Sequence, residues 1–412
     1  MILEFSSSNY KSIKNDITLS MMSTKDKEHS EILLEYGNRN VLPIISIYGA
    51  NGSGKTNIIN SLAYFKFIVC NSNNFQPGDR IPFFPHKLKK DFNSEFRIQI
   101  VVDKIRYAYG FSVNNQEIEK EYLYHFKNNK QAKIFERMKD DFYFGKEYTK
   151  DLKEVKDKMN KNNKLFLSIV ANWINNEDII RVFRYIKENI VINSNIQNEE
   201  WLEYTLKNIK ESDKYKETFI LFLRSLDINI TDINVDIKNI KMNYEDLPAD
   251  MPEELKMLIS NSEGVKRDVK LRYDDLEIDL NEDSRGINKL FEISGPLIDI
   301  LDKGKVLVYD ELETSLHPII VKHIVKLFKN KDINKNNAQL IFTTHDTNLL
   351  DLDLLRRDQI WLTERNQESK STEIYSLSDL KNIRSDENIE NGYIRGKYGA
   401  IPFITNNLNN YK

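Results

Sequence analysis

Gly49-Ala50-Asn51-Gly52-Ser53-Gly54-Lys55-Thr56 follows the apolar run Val41 to Tyr48 and precedes Ile58, Ile59, Leu62, Phe65 and Ile68 at helical spacing. Four variable residues between a glycine and Gly-Lys-Thr make the phosphate-binding loop pattern. The glycines at Gly49, Gly52 and Gly54 let backbone N–H groups curl round a polyphosphate, and the next helix points its positive dipole end at the same anion. The pattern places Asn51 and Ser53 in that cradle, sends Lys55 to the β- and γ-phosphates, and gives the Thr56 hydroxyl to Mg²⁺. A buried strand, a glycine-rich turn and a core-facing helix predict an α/β fold around a nucleoside-triphosphate site.

Composition bounds the rest. The 412 residues are 30% charged and 40% hydrophobic, with a net charge of −3. Such a length suits two or three structural units, or one large α/β domain carrying an insertion. The near-neutral charge leaves any nucleic-acid contact to a local basic patch. A single cysteine, Cys70, excludes an internal disulfide and a cysteine-cluster zinc site and fits a reducing cytosol. On the helix after the loop it reads as a small buried hydrophobe. No run approaches the ~20 apolar residues of a membrane span, and Met1-Ile2-Leu3-Glu4-Phe5 lacks a signal-peptide layout, so a cytoplasmic protein without a membrane partner is expected.

Ile2 to Phe5 and Ile17 to Met21 read as short strands, and Phe96 to Val102 with Ile105 to Val113 as a hairpin turning at Asp103-Lys104. From about Lys120 to Asn261, Lys, Glu and Asn become dense and apolar residues follow helical periods, as in Leu165-Phe166-Ile169-Val170-Trp173. A mostly helical insertion over 120–265 is therefore expected between an N-terminal lobe, 1–119, and a C-terminal lobe, 266–412. Its charged run from Lys146 to Lys164 is most simply a solvated helix face, with nucleic-acid contact as the alternative. There are no repeats or sustained heptads to predict a long coiled-coil arm.

The α/β pattern resumes at Leu271. Val306-Leu307-Val308-Tyr309 is an apolar strand ending in Asp310-Glu311, which puts two acids at the sheet edge where α/β folds bind ligands. Asp310 is positioned to hold Mg²⁺ with Thr56, and Glu311 to orient and deprotonate an attacking water. The next apolar strand, Leu340 to Thr343, closes on Thr344-His345-Asp346, where His345 would sense a γ-phosphate. Asp283-Ser284-Arg285-Gly286 precedes a helix beginning near Ile287. Read alone it is an N-cap; with a hydroxyl, a glycine backbone and a helix N-terminus it is also an anion site.

This order resembles the ABC-type ATPase heads of RecF, SMC and OLD proteins, and more closely the bacterial AAA_15/AAA_21-type ATPases that include RloA- and AbiL-like phage-defence proteins. Matching residues run nearly end to end: Asn9-Tyr10-Lys11-Ser12, the phosphate loop, Asp310-Glu311-Leu312 through Leu316-His317-Pro318, His345 to Leu350, Arg356 to Trp361, and Tyr393 to Pro402. The resemblance implies a P-loop NTPase with an ABC-type head and a largely helical insertion. ATP would be sandwiched between two heads, in a homodimer or higher homo-oligomer assembled through the ATP sites. Lys55, Thr56, Asp310, Glu311 and His345 would act from one subunit, while Ser284 and Gly286 would cap the γ-phosphate in trans from the other. Ser315 to His317 corresponds to the D-loop at the dimer interface. Asp283 and Ile287 replace the family's usual Glu and Thr at the signature, and no residue is assigned to the Gln switch.

Four functions follow. The leading one is an ATP-hydrolysing, dimerising switch of a phage-defence system that controls a separate effector, a nuclease or toxin, since no HNH or TOPRIM motif is present. The alternative is a DNA-repair or chromosome-maintenance ATPase that clamps DNA, which requires salt-sensitive, ATP-stimulated DNA binding. A transporter's nucleotide-binding subunit is disfavoured by the long interval between Lys55 and Ser284, and a non-hydrolytic module by an intact Glu311.

Overall fold

The computed structural model describes residues 1–159, 162–194, 199–241, 251–253, 256, 263–381, 383–384 and 386–402. Strands β1 (Ile2–Ser8) and β2 (Ile17–Ser20) pair antiparallel, and β3 (Leu34–Tyr36) pairs with β4 (Arg39–Val41). Pro43, which has no N–H to give a ladder, separates β4 from β5 (Ile44–Gly49), so the run expected as one strand is two. After the helix Lys55–Asn71 comes an antiparallel meander: β6 (Ser94–Val102), β7 (Ile105–Val113), β8 (Ile118–Lys127), β9 (Lys130–Met138) and β10 (Asp141–Phe144). Asp103 and Lys104 make the β6–β7 turn with φ of 47° and 64°, the left-handed pair that matches strand twist in a two-residue hairpin. Pairing of β6 with β1 gives a seven-stranded sheet of order β10-β9-β8-β7-β6-β1-β2.

The second sheet holds β11 (Ile190–Asn193), β15 (Val306–Tyr309), β16 (Gln339–Thr343), β17 (Ile360–Arg365) and β18 (Thr372–Ser376), in the order β11-β15-β16-β5-β17-β18. Every neighbouring pair is parallel except β17 with β18. All residues of β5, β15 and β16 are buried, as strands covered on both faces must be. Even Gln339 is enclosed: its Oε1 accepts the Ile2 N–H at 2.6 Å and its amide donates to the carbonyls of Ile2 and Leu42, joining the two sheets. The helix Lys55–Asn71 shares one hydrophobic core with both sheets, and its Phe65 ring meets Phe5 and stacks on Phe111 at 5.6 Å.

The helical insertion expected from Lys120 begins instead with β8, β9 and β10. In β8 the buried positions are Ile118, Glu121, Leu123 and His125, so two of the four carry polar side chains and the period-two signal is hidden. Glu121 is stable there because its carboxylate accepts the Phe166 and Leu167 N–H groups at 2.6 and 2.9 Å, accepts Tyr109 Oη at 3.0 Å, and faces the buried Arg137 guanidinium at 3.8 Å. Helices do follow at Thr149–Lys158, Phe166–Trp173 and Glu177–Arg184. The first turns Leu152 and Val155 inward and its lysines to solvent. Residues 160–161, 195–198, 242–250, 254–255 and 257–262 of the expected insertion lie outside the described residues.

Two compact units divide the chain: Met1–Asn195 with Ile300–Thr314 and Val321–Lys412, and Ile196–Asp299 with Ser315–Ile320. The second unit contains helices Glu199–Glu211 and Asp213–Ser225, an antiparallel sheet of β12 (Asp232–Lys241), β13 (Glu263–Tyr273) and β14 (Leu276–Asp279), and most of the helix Arg285–Lys303. Phe219 meets Phe291 edge-on at 5.1 Å in its core. Gly295 is required there, since a Cβ would lie 2.1 Å from Thr205 Oγ1. Among the described residues no helix is long and apolar enough to cross a membrane.

Candidate functional site

Because β5, β15 and β16 run parallel and adjacent in the order β15-β16-β5, the segments that leave their C-terminal ends emerge at one sheet edge. These segments are Gly49 to Thr56, Asp310 to Glu313 and Thr344 to Asp346. The sheet thus brings together the phosphate loop, the acid pair and the histidine expected from sequence.

The loop is held by hydroxyls from the far side of β5. Ser53 Oγ and Thr363 Oγ1 share a 2.7 Å hydrogen bond, and Thr372 Oγ1 donates to the Ser53 carbonyl at 2.8 Å. A Cβ on Gly49 would lie 2.3 Å from the Thr363 carbonyl, and one on Gly54, at φ +112°, only 2.0 Å from Thr372 Oγ1. Gly52, at φ +78°, faces open space. A tightly backed, outward-open backbone of this kind fits a phosphate cradle. Lys55 is buried and its Nζ donates to the Gly49 carbonyl at 2.8 Å, folded over its own loop. Asn51 and Thr56 are exposed. Cys70, expected to be buried, is half-buried, and its partial burial raises the thiol pKa.

Opposite, Thr343 Oγ1 donates to Asp310 Oδ1 at 2.6 Å and accepts the Glu311 N–H at 2.7 Å. Glu311 itself sits at φ 55°, a left-handed turn that reverses the chain after the strand. The Thr56 hydroxyl and the Asp310 carboxylate both offer oxygen donors, the type that Mg²⁺ prefers. Electrostatics ties the cluster together. Burial lowers the Lys55 pKa while Glu311, Asp310 and Glu313 pull it back up. Burial and the Lys55 charge lower the His345 pKa, and the same three carboxylates oppose them. The hydroxyls of Thr343, Thr363 and Thr372 were not among the residues expected from sequence; their only signal was a threonine at the end of β16, inside β17 and at the start of β18.

Ser284 and Gly286 belong to the second unit. Ser284 Oγ accepts the Ile287 N–H at 3.2 Å, capping the helix Arg285–Lys303, and a Cβ on Gly286 would stand 3.5 Å from the Ser315 carbonyl. Ser284 is exposed. In the first unit, Tyr393 meets Tyr48 edge-on at 6.0 Å, Thr347 Oγ1 donates to Glu390 Oε1 at 2.7 Å, and Tyr375 Oη donates to the Tyr398 carbonyl at 2.8 Å. Tyr393 and Tyr398 of the C-terminal segment therefore pack back beside β5 and β18, while Glu390 just before them holds the loop after β16.

A family model described as "AAA domain, putative AbiEii toxin, Type IV TA system" (AAA_21) matches residues 44–190 and 192–351. Among solved structures the chain is similar to an SMC head bound to the C-terminal winged-helix domain of ScpA, at 12% identity over 91% of this chain and 97% of that one, with a TM-score of 0.43. It is also similar to the SMC head domain from Thermotoga maritima, at 12% identity over 91% and 98%, TM-score 0.42. A third is the Smc head domain with an extended coiled coil bound to the C-terminal domain of ScpA from Pyrococcus furiosus, at 13% identity over 92% and 97%, TM-score 0.41. No curated protein sequence matches.

Proposed function

The chain belongs to the AAA_21 family of AAA domains, and from that we propose that it is an ATP-binding, ATP-hydrolysing switch that dimerises through its nucleotide sites and controls a separate effector protein in phage defence. The observation that carries this reading is the convergence of Lys55, Asp310, Glu311 and His345 at one sheet edge, with the same carboxylates acting on both Lys55 and His345. In this reading the N-terminal and C-terminal lobes form the head together with β8, β9 and β10, which complete its sheet, and the rest of the intervening insertion is a lid or arm.

Each residue has a role set by its chemistry. Gly49, Asn51, Gly52, Ser53 and Gly54 offer backbone N–H groups to the phosphates, and Lys55 supplies the counter-charge. Thr56 and Asp310 would hold Mg²⁺, which neutralises charge on the β- and γ-oxygens when bound. Glu311 takes a proton from the attacking water. His345, whose protonated form partial desolvation and the Lys55 charge disfavour, donates a hydrogen bond to the γ-phosphate. Ser284 and Gly286 complete the site of a second subunit, which makes hydrolysis depend on dimerisation.

Glu311→Gln tests the assignment. It keeps shape and hydrogen bonding but removes the base, so the variant should bind ATP, turn it over about a hundredfold more slowly, and accumulate as a dimer. Undiminished turnover would remove Glu311 from the role of base.

A further inference from the structure

Glu313 lies two residues beyond Glu311 and was not among the expected site residues. After the left-handed turn at Glu311, closed by Thr314 N–H donating to the Glu311 carbonyl at 3.0 Å, the Glu313 side chain reaches back across the sheet edge. Its Oε1 accepts the backbone N–H of His345 at 2.6 Å. That bond links the loop after β15 to the loop after β16 at the residue expected to sense the γ-phosphate. The His345 loop is anchored on either side of that bond, by Thr344 N–H donating to the Ile47 carbonyl at 3.1 Å and by Thr347 Oγ1 donating to Glu390 Oε1 at 2.7 Å, so the Glu313 bond acts at His345 itself.

We propose that Glu313 is the positioning residue of His345: by accepting the His345 N–H it fixes that residue against the strand that carries Asp310 and Glu311. This rests on the ATPase reading above. A solvated acid on an exposed loop would have both oxygens in water. Here Oε2 is buried without a hydrogen-bond partner among the described residues, so the side chain is held at a desolvation cost that a free acid would avoid. A charge-assisted bond to a backbone N–H is short and strong, and it offsets that cost. Removing it frees a loop whose displacement by about 1 Å can cost about a hundredfold in rate.

Steady-state ATPase of wild type, Glu313→Ala and Glu313→Gln, with hydrogen–deuterium exchange on the peptide containing His345, tests the proposal. Glu313→Ala should lower kcat about 10- to 100-fold with KM for ATP within about threefold, and should speed exchange at His345. Glu313→Gln keeps the acceptor and should recover both readouts. If the alanine variant fails to fold, Glu313→Met takes its place. A kcat within about twofold of wild type in the truncated variant, a loss confined to KM, or a glutamine variant no better than alanine would each overturn the proposal. Exchange measured without nucleotide separates the two readings. A wild-type protein without ATPase activity but with this exchange pattern rejects hydrolysis and keeps the positioning, whereas equal exchange in all three proteins rejects the positioning.

Discussion

Thr343 and Asp310 are joined by a 2.6 Å hydrogen bond in which the hydroxyl donates to the carboxylate, and the same oxygen accepts the Glu311 N–H. One threonine thus orients the proposed metal ligand and the backbone of the proposed base. Partners of this kind beyond the ligand are typically worth about 10–100-fold in metal affinity. Thr343→Val keeps the β-branched shape but removes both bonds. Its Mg²⁺ requirement for ATP turnover should rise by about that factor, while Thr343→Ser stays near wild type. A magnesium titration of ATPase activity reads the difference, and an unchanged midpoint in the valine variant would separate Thr343 from the metal.

Gly54 tests the cradle by its backbone. Its φ of +112° excludes a side chain on its own account, and Thr372 Oγ1 stands 2.0 Å from where a Cβ would be. Gly54→Ala should therefore lose about 1–3 kcal/mol and bind ATP at least about tenfold more weakly. Gly52→Ala shares the positive φ, +78°, but meets nothing within 4 Å, so its loss should be smaller. Fluorescent-nucleotide titration and thermal melting give the order. Equal effects at the two positions would mean that strain alone, not contact with Thr372, decides.

The phosphate loop and the acid pair were legible because each is a short linear pattern whose chemistry demands those residues in that order. The parallel strands β15 and β16 were legible for a related reason, being uninterrupted apolar runs. Two things were hidden. In β8 the inward Glu121 and His125, and Arg137 on β9, carry polar groups into the core, so a strand reads as a charged helix. Only the tertiary partners of Glu121, the N–H groups at the start of the helix Phe166–Trp173, explain why an acid belongs there. Thr343 and Glu313 act across strands, and no spacing along the chain encodes which loop a side chain will meet. The Ser284 motif stays ambiguous in a single chain, since its hydroxyl caps its own helix.

Arg356 separates stability from function in a segment that the family resemblance also marks. Its guanidinium is fully buried, with Nε donating to Asp358 Oδ1 at 2.9 Å and Nη2 to Oδ2 at 2.8 Å. Asp358 Oδ2 also accepts the N–H and hydroxyl of Thr24 at 2.8 Å. Arg356→Ala would leave that carboxylate buried without its cation, at a cost of about 3–5 kcal/mol. Arg356→Lys cannot reproduce the planar fork and should recover little. Urea denaturation checks the loss, and ATP turnover per folded molecule should be unaltered. A large fall in kcat without loss of stability would place Arg356 in the chemistry instead.

Asp178 gives the fold a built-in acid sensitivity. Burial pushes its carboxyl up, but Tyr148 Oη at 2.6 Å, Tyr107 Oη at 2.7 Å and Lys127 Nζ at 3.0 Å donate to it and outweigh burial, holding the pKa below the ordinary 3.8. The unfolded chain therefore takes up this proton at a higher pH than the folded one. Between the two values the unfolded state binds more protons, so stability rises with pH there. The contribution is complete above 3.8 and is lost as pH falls through the folded value. Asp178→Asn removes it. The stability gap between wild type and variant should hold constant from about pH 7 to about pH 5 and narrow below the ordinary carboxyl value. Urea midpoints across that range measure it. A gap that persists undiminished to about pH 3 would show that hydrogen-bond geometry, rather than the carboxylate charge, supplies the stabilisation.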